Sequence, residues 1–264
     1  MIKLSTFALA LAACGGPAGD TGGDDDVAVD ASVATHHGFV TLQQYDGTVG
    51  GAPDLGGSIG ASFAPRPECT SQPTGPCVYT KCGPAATGYQ SAGAITIAGL
   101  RSPVTLTPGA MNKYGAYSAT AALYGSGEHA TVSASGADVG AFTATLTTPR
   151  RATATSPIVG DNDTLAIPRA HDFTATWTAT PDPIMVDVVG ADGDALSCRF
   201  DGSAGSGTVP ASALAMLSPG RGGYETFALT DTVVTAGDWD VTIRSYFLAD
   251  WPDGSLAVGS AVLQ

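Results

Sequence analysis

FTATWTATPDPIMVDVV, residues 173–189, is the stretch whose reading decides the fold. Phe173, Ala175 and Trp177 alternate with Thr174, Thr176 and Thr178, and beyond a Pro-Asp-Pro turn Ile184, Val186 and Val188 make a second apolar row. A period of two with one apolar face is the pattern of a half-buried strand; a helix, with 3.6 residues per turn, would scatter the same row around its axis. Two such runs about a short Pro-rich turn predict a β-hairpin.

The same alternation recurs on either side. Phe142, Ala144 and Leu146 oppose Thr143, Thr145 and Thr147, and Trp239, Val241, Ile243, Ser245 and Phe247 oppose Asp240, Thr242 and Arg244. Further strand-like runs lie at 38–45, 57–63, 94–98, 104–106, 115–124, 129–135, 197–200, 224–229 and 256–263, separated by Gly, Pro and Asp turns. Residues 209–217 are the one helical candidate: Pro210 suits a first turn, Leu214 and Leu217 share a face, and Pro219-Gly220 stops it. Short strands at this spacing predict an all-β chain of two β-sandwich-like domains, 37–150 and 151–264, divided in the Pro-punctuated segment 149–168.

The 264 residues are 44% apolar and 13% charged, which suits a packed chain, and the net charge of −13 argues against nucleic acid and against adsorption to anionic lipid. Attachment to a membrane must then come from something other than charge. Lys3, an apolar run and the small residues Ala12 and Ala13 form a secretory leader shorter than the ~20 residues of a membrane span. Leu11-Ala12-Ala13-Cys14 resembles the lipobox of bacterial lipoproteins. That resemblance implies that residues 1–13 are a cleaved signal peptide and that Cys14 is diacylated on sulfur and acylated on its new amine. Several acyl chains hold a protein firmly at a membrane where one would not. Gly15 and Gly16 follow with no acidic residue, so the family's sorting rule implies the outer membrane. Residues 14–36 read as a lipidated cysteine on a flexible acidic tether, with Asp24, Asp25 and Asp26 as solvated spacer rather than a metal site. From Phe173 onward the chain resembles an immunoglobulin or fibronectin type III-like module, through Trp177 early and residues 236–243 late.

Cys69, Cys77, Cys82 and Cys198 remain after Cys14, an even number that export predicts to be oxidised. A strand beginning at Cys77 points Cys77 and Cys82 to opposite sides, so they are poor partners. The preferred pairing is Cys69–Cys77, closing a Pro/Gly loop, with Cys82–Cys198 joining the halves; the alternative is Cys69–Cys82 with Cys77–Cys198. Zinc is the rival for these thiols, disfavoured by the lack of a C-x2-C pair and by only four histidines in the chain.

Catalytic signals are sparse. Gly56-Gly57-Ser58-Ile59-Gly60 matches G-x-S-x-G, but a nucleophile elbow needs a strand before the serine and a helix after it, whereas a Gly-rich loop precedes this one. Glu128-His129 and His171-Asp172 could supply a base without a third group, and His36-His37 reads as the end of the tether. Asp161-Asn162-Asp163, Asp182 and Asp192-Gly193-Asp194 carry hard oxygens that could hold calcium weakly, although the same residues are ordinary turn formers. No other cofactor is expected. Tyr124, Tyr246 and Trp251 are either core or a carbohydrate- or partner-binding surface. The sequence thus predicts a lipid-anchored cell-envelope protein acting as a non-enzymatic binding or structural module. Its partner would be a protein or carbohydrate, met by loops such as 69–82. The alternatives are an envelope hydrolase of polysaccharide or ester substrates and a calcium-dependent adhesion module.

Overall fold

The computed structural model describes residues 36–49, 52–64, 69–84, 87–159 and 163–264. The leader, Cys14, the tether up to residue 35 with Asp24, Asp25 and Asp26, and Asp161 and Asn162 lie outside the described residues.

The chain is all-β. In order it forms β1 (His36–Val49), β2 (Ala52–Phe63), β3 (Cys69–Thr74), β4 (Cys77–Cys82), β5 (Ile95–Ala98), β6 (Val104–Leu106), β7 (Tyr117–Ala119), β8 (His129–Ala134) and β9 (Phe142–Thr147). There follow β10 (Ala154–Ser156), β11 (Leu165–Ile167), β12 (Phe173–Trp177), β13 (Ile184–Val189), β14 (Ala195–Phe200), β15 (Ser206–Val209), the single turn α1 (Ala211–Leu214), β16 (Gly220–Ala236), β17 (Trp239–Leu248) and β18 (Val258–Leu263). The helical segment is thus shorter than 209–217, because Val209 still pairs with Phe173; Leu214 and Leu217 are nonetheless both buried.

An 11-stranded sheet runs β3-β4-β14-β13-β16-β17-β1-β2-β7, with β18 alongside β16 and β11 alongside β18. The four-stranded sheet β6-β5-β8-β9 and the three-stranded sheet β10-β12-β15 pack against it, giving two sandwich cores. Tyr224, Ala228 and Ala236 are all even-numbered positions of β16, yet the first two belong to one core and the third to the other. Side chains alternate along a strand, so both cores lie on the same face of this strand. The chain changes core near residue 150: Leu146 belongs to the first, Ala152 to the second. Each core also recruits from across that point. The first takes Trp239, Val241, Ile243 and Phe247 from β17, which pairs in parallel with β1, and the second takes Cys77.

The predicted hairpin of residues 173–189 does not form. β12 pairs with β10 and β15, whereas β13 pairs with β14 and β16, so the connection crosses from one sheet to the other. Both apolar rows do face inward, but they meet across the core instead of lying side by side. The crossing is fixed by contacts that a hairpin would lack: Trp177 Nε1 donates to the Gly202 carbonyl at 2.9 Å, Thr180 N donates to the same oxygen at 3.1 Å, and Leu229 N donates to the Pro183 carbonyl at 3.0 Å.

The preferred disulfide pairing is also overturned. Cys69 is bonded to Cys82 and Cys77 to Cys198. Residues 69–82 are a β-hairpin whose register sets Cys69 directly opposite Cys82, and β4 lies beside β14 with Cys77 opposite Cys198. Opposed cysteines on adjacent antiparallel strands meet without bending the backbone, which the Cys69–Cys77 loop would require.

Candidate functional site

A cleft of about 200 Å³ opens where the two sandwiches meet, lined by Gln44, Asp46, Arg101, Tyr124, Gly125, Ser126, Arg151 and Phe247 among others. Its floor is aromatic and fixed. Tyr124 is fully buried, packs edge-to-face on Phe247 at 6.5 Å and donates from its hydroxyl to the Tyr246 carbonyl at 2.8 Å. Burial pushes the Tyr124 phenol well above its ordinary pKa, so it stays a neutral donor. The Gln44 side-chain oxygen accepts from Tyr124 N at 2.9 Å, which satisfies an amide that no strand partner reaches.

Arg151 forms one wall. Its Nη1 donates to Asp46 Oδ2 at 2.9 Å and its Nη2 to the Asp46 carbonyl at 2.9 Å. Nε and Nη2 also meet Asp250 Oδ1 and Oδ2 at 3.1 and 2.9 Å. Hydrogen bonding to Asp250, reinforced by the charges of Asp250 and Asp46, outweighs burial and raises its pKa still further. The planar fork of arginine matches a carboxylate in this way, so three distant segments are fixed at one point. The opposite wall is the 122–128 loop. Glu128 Oε2 accepts from Gly125 N at 2.7 Å, Thr148 Oγ1 donates to the Gly125 carbonyl at 2.7 Å, and Ser126 Oγ accepts from Arg151 N at 3.2 Å. The exposed Arg101 completes the rim, its own backbone N–H held by the Leu123 carbonyl at 2.9 Å. The lining therefore combines guanidinium, carboxylate and amide groups, most of them held by hydrogen bonds to one another, around a buried aromatic base, with Arg101 exposed at the rim.

The residues singled out from sequence do not gather there. Ser58 lies within β2, not in a turn, and donates to Gln43 Oε1 at 3.1 Å. His129 contacts Thr147 Oγ1 at 3.2 Å, and Asp172 accepts from Ala211 N at 2.8 Å at the start of α1. His36 opens β1, stacks on Trp239 at 4.9 Å and sits 3.1 Å from Asp238, so it is part of the fold and not of the tether. Of the calcium candidates, Asp182 accepts from Arg150 N at 2.7 Å, and Asp194 accepts from Ser218 N at 2.8 Å and from the Tyr79 hydroxyl at 3.3 Å. Asp192 accepts from the Ser218 hydroxyl at 3.0 Å. Among the described residues no three His, Cys, Asp or Glu side chains come together as metal ligands. Tyr124 and Trp251 are core; Tyr246 is partly buried and packs on Phe227. Within the 69–82 hairpin, Thr70, Ser71 and Gln72 are exposed on an edge strand.

Arg151 had no sequence signal, since Asp46 and Asp250 lie about a hundred residues away on either side. Asp187 and Glu225 were missed as well: they stand opposite each other on β13 and β16, on the face turned from both cores.

No known family model matches the chain, and no curated protein does. Among solved structures it is similar to the FN1–FN3 domains of chicken CNTN1, at 11% identity and a TM-score of 0.20 over 72% of this chain and 77% of that one. It is also similar to a Ca²⁺-stabilized adhesin that helps an Antarctic bacterium bind ice, at 14% identity and a TM-score of 0.18 over 78% of this chain and 55% of that one. The sandwich assignment rests on the strand registers and shared cores of this molecule. Among the described residues no helix is long and apolar enough to cross a membrane.

Proposed function

We propose that the chain is a lipid-anchored cell-envelope binding module, tethered through Cys14 and using the inter-sandwich cleft to hold a small hydroxyl-rich ligand such as a sugar unit of an envelope polysaccharide. The observation that carries the reading is the cleft wall itself. Arg151 spends its guanidinium on Asp46 and Asp250, and the recess is thereby built before any ligand arrives. Preorganised polar groups over a buried aromatic base suit a neutral ligand that both donates and accepts hydrogen bonds. Asp46 and Arg101 bring opposite charges to the lining, which favours a neutral polar ligand over a strongly anionic one. The leader, the acidic tether and the two disulfides support an oxidising compartment outside the cytoplasm.

Titration calorimetry of the mature protein with chito-oligosaccharides and with neutral glucan oligomers tests the ligand. Saturable binding lost in Arg101→Ala but kept in a Thr131→Ala control supports the proposal; binding by neither sugar class, or binding unaffected by Arg101→Ala, ends it. Partitioning of the wild type and Cys14→Ser into a detergent phase tests the anchor separately.

A further inference from the structure

On the face of the large sheet turned from both cores, Met185, Phe227, Leu229, Leu248 and Leu256 form a third apolar cluster, with Tyr45 and Tyr246 packed against it. Two acids stand beside it. Asp187, in the middle of β13, is directly opposite Glu225 on β16 and, on its other side, opposite Ser197 on β14. Direct opposition in an antiparallel pair holds Cβ atoms about 4.5–5.5 Å apart, within reach of carboxyl-to-carboxyl contact. Asp187 is only 2% exposed, and its Oδ1 has no hydrogen-bond partner. A buried ionised carboxylate in that position would be costly, and a second one beside it more so.

The cations of this face offset the pair only in part: the Arg244 charge acts on Asp187, but its ion pair is made elsewhere. Arg244 on β17 and Arg199 on β14 both reach Asp231, at 3.4 and 3.6 Å. Two tyrosines pack on this face: Tyr45, against the apolar cluster, and Tyr246, a neutral phenol whose pKa is raised by burial first and by Glu225 second. Ser197 stands opposite Asp187 on β14, β18 brings only Val258 opposite Glu225, and Leu256 is apolar. A single proton satisfies what these groups leave open: it cancels one charge and turns one carboxyl into a donor for the other's unmatched oxygen.

The geometry points to a proton-sharing latch: one proton held between Asp187 and Glu225 ties β13 to β16 on the outward face, and its loss to the solvent under alkaline conditions leaves two opposed carboxylates that loosen this seam. Glu225, the less buried member, is the exit for the proton. Burial raises the pKa of Asp187 against the lowering effects of Ser197 and Arg244, and burial followed by the Asp187 charge raises that of Glu225. The folded protein thus keeps a proton that the unfolded chain has already released. Stability from the latch is complete below the ordinary carboxylate pKa of about 4 and declines as pH rises through the raised folded values.

Urea unfolding of the wild type, Asp187→Asn and Glu225→Gln between about pH 5 and pH 9 tests this, with amide exchange of β13 and β16 corrected for intrinsic rates. In the wild type the folding constant should fall by up to about tenfold per pH unit over the window, with protection lost first in these two strands. Asp187→Asn, which mimics the protonated acid, should flatten that profile and remove a protonated-carboxyl infrared band seen at neutral pH. Profiles that run parallel in wild type and Asp187→Asn, or no such band in the wild type, would overturn the latch. Glu225→Gln provides the same comparison should the first variant fold poorly.

Discussion

Arg151 and Asp250 are joined through two parallel hydrogen bonds, Nε to Oδ1 and Nη2 to Oδ2, and the same guanidinium also clasps Asp46 at the far end of β1. The Asp250 side chain is only 10% exposed, so its charge depends on this partner more than on water. Arg151→Ala should cost about 2 kcal/mol, the scale of a hydrogen-bonded charge with one partner removed. Arg151→Lys should recover only part of it, because an ammonium cannot reproduce the fork. Urea titration of Arg151→Ala, Asp250→Ala and the double variant should give a coupling of about 1–3 kcal/mol. Additive losses would mean that the two hydrogen bonds do not couple Arg151 to Asp250 energetically.

The two disulfides should separate in mild reductant. Cys77 and Cys198 are 1% and 0% exposed, whereas Cys82 lies at the surface, so Cys69–Cys82 should be alkylated first in a timed reduction read by mass spectrometry. Their stability effects should rank the other way. By loop-closure entropy a bond spanning 121 residues is worth about 5 kcal/mol and one spanning 13 about 3 kcal/mol. Cys77→Ala/Cys198→Ala should therefore melt below Cys69→Ala/Cys82→Ala.

Gly202 marks the place where the chain crosses between sheets. A Cβ there would lie 2.0 Å from the Asp182 carbonyl and 2.8 Å from Thr180, backbone and side chain that form the crossing itself. Gly202→Ala should cost about 1–3 kcal/mol, as overpacking does. Gly60→Ala is the matched control: nothing lies within 4 Å of its Cβ position, and thermal unfolding should show it neutral or slightly stabilised.

What could be read from the sequence was which way side chains point, and what could not was which strand lies beside which. Phe173, Ala175, Trp177, Ile184, Val186 and Val188 all face the core as their alternation required. Alternation is the same for a strand in either sheet, so it could not tell a hairpin from a crossing. The parity argument correctly separated Cys77 from Cys82, yet the pairing was decided by register, Cys69 opposite Cys82 and Cys77 opposite Cys198, which no local spacing encodes. The cleft was illegible for the same reason. Arg151 sits in a Pro-rich connection whose local sequence looks like any linker, and its meaning lies in two aspartates near the ends of β1 and β17.

A fragment of residues 36–150 should not fold alone, although residue 150 is where the chain changes core. Val40, Leu42, Ile59 and Phe63 pack against Trp239, Val241, Ile243 and Phe247, and without β17 the parallel edge of β1 would lose its partner from His36 to Gln44. Each large apolar side chain left uncovered forgoes about 1.5–3 kcal/mol, so losing four forgoes about 6–12 kcal/mol, the same scale as the 5–15 kcal/mol that separates a typical folded domain from its unfolded chain. The exposed β1 edge would also invite association. Far-ultraviolet circular dichroism and amide NMR dispersion of the fragment, beside the 36–264 chain, decide the matter. A dispersed spectrum with cooperative melting would show that the first sandwich stands by itself. In the longer chain, Ile243→Ala and Ile184→Ala, one in each core, should each cost about 2–5 kcal/mol and move a single transition, because β16 runs through both.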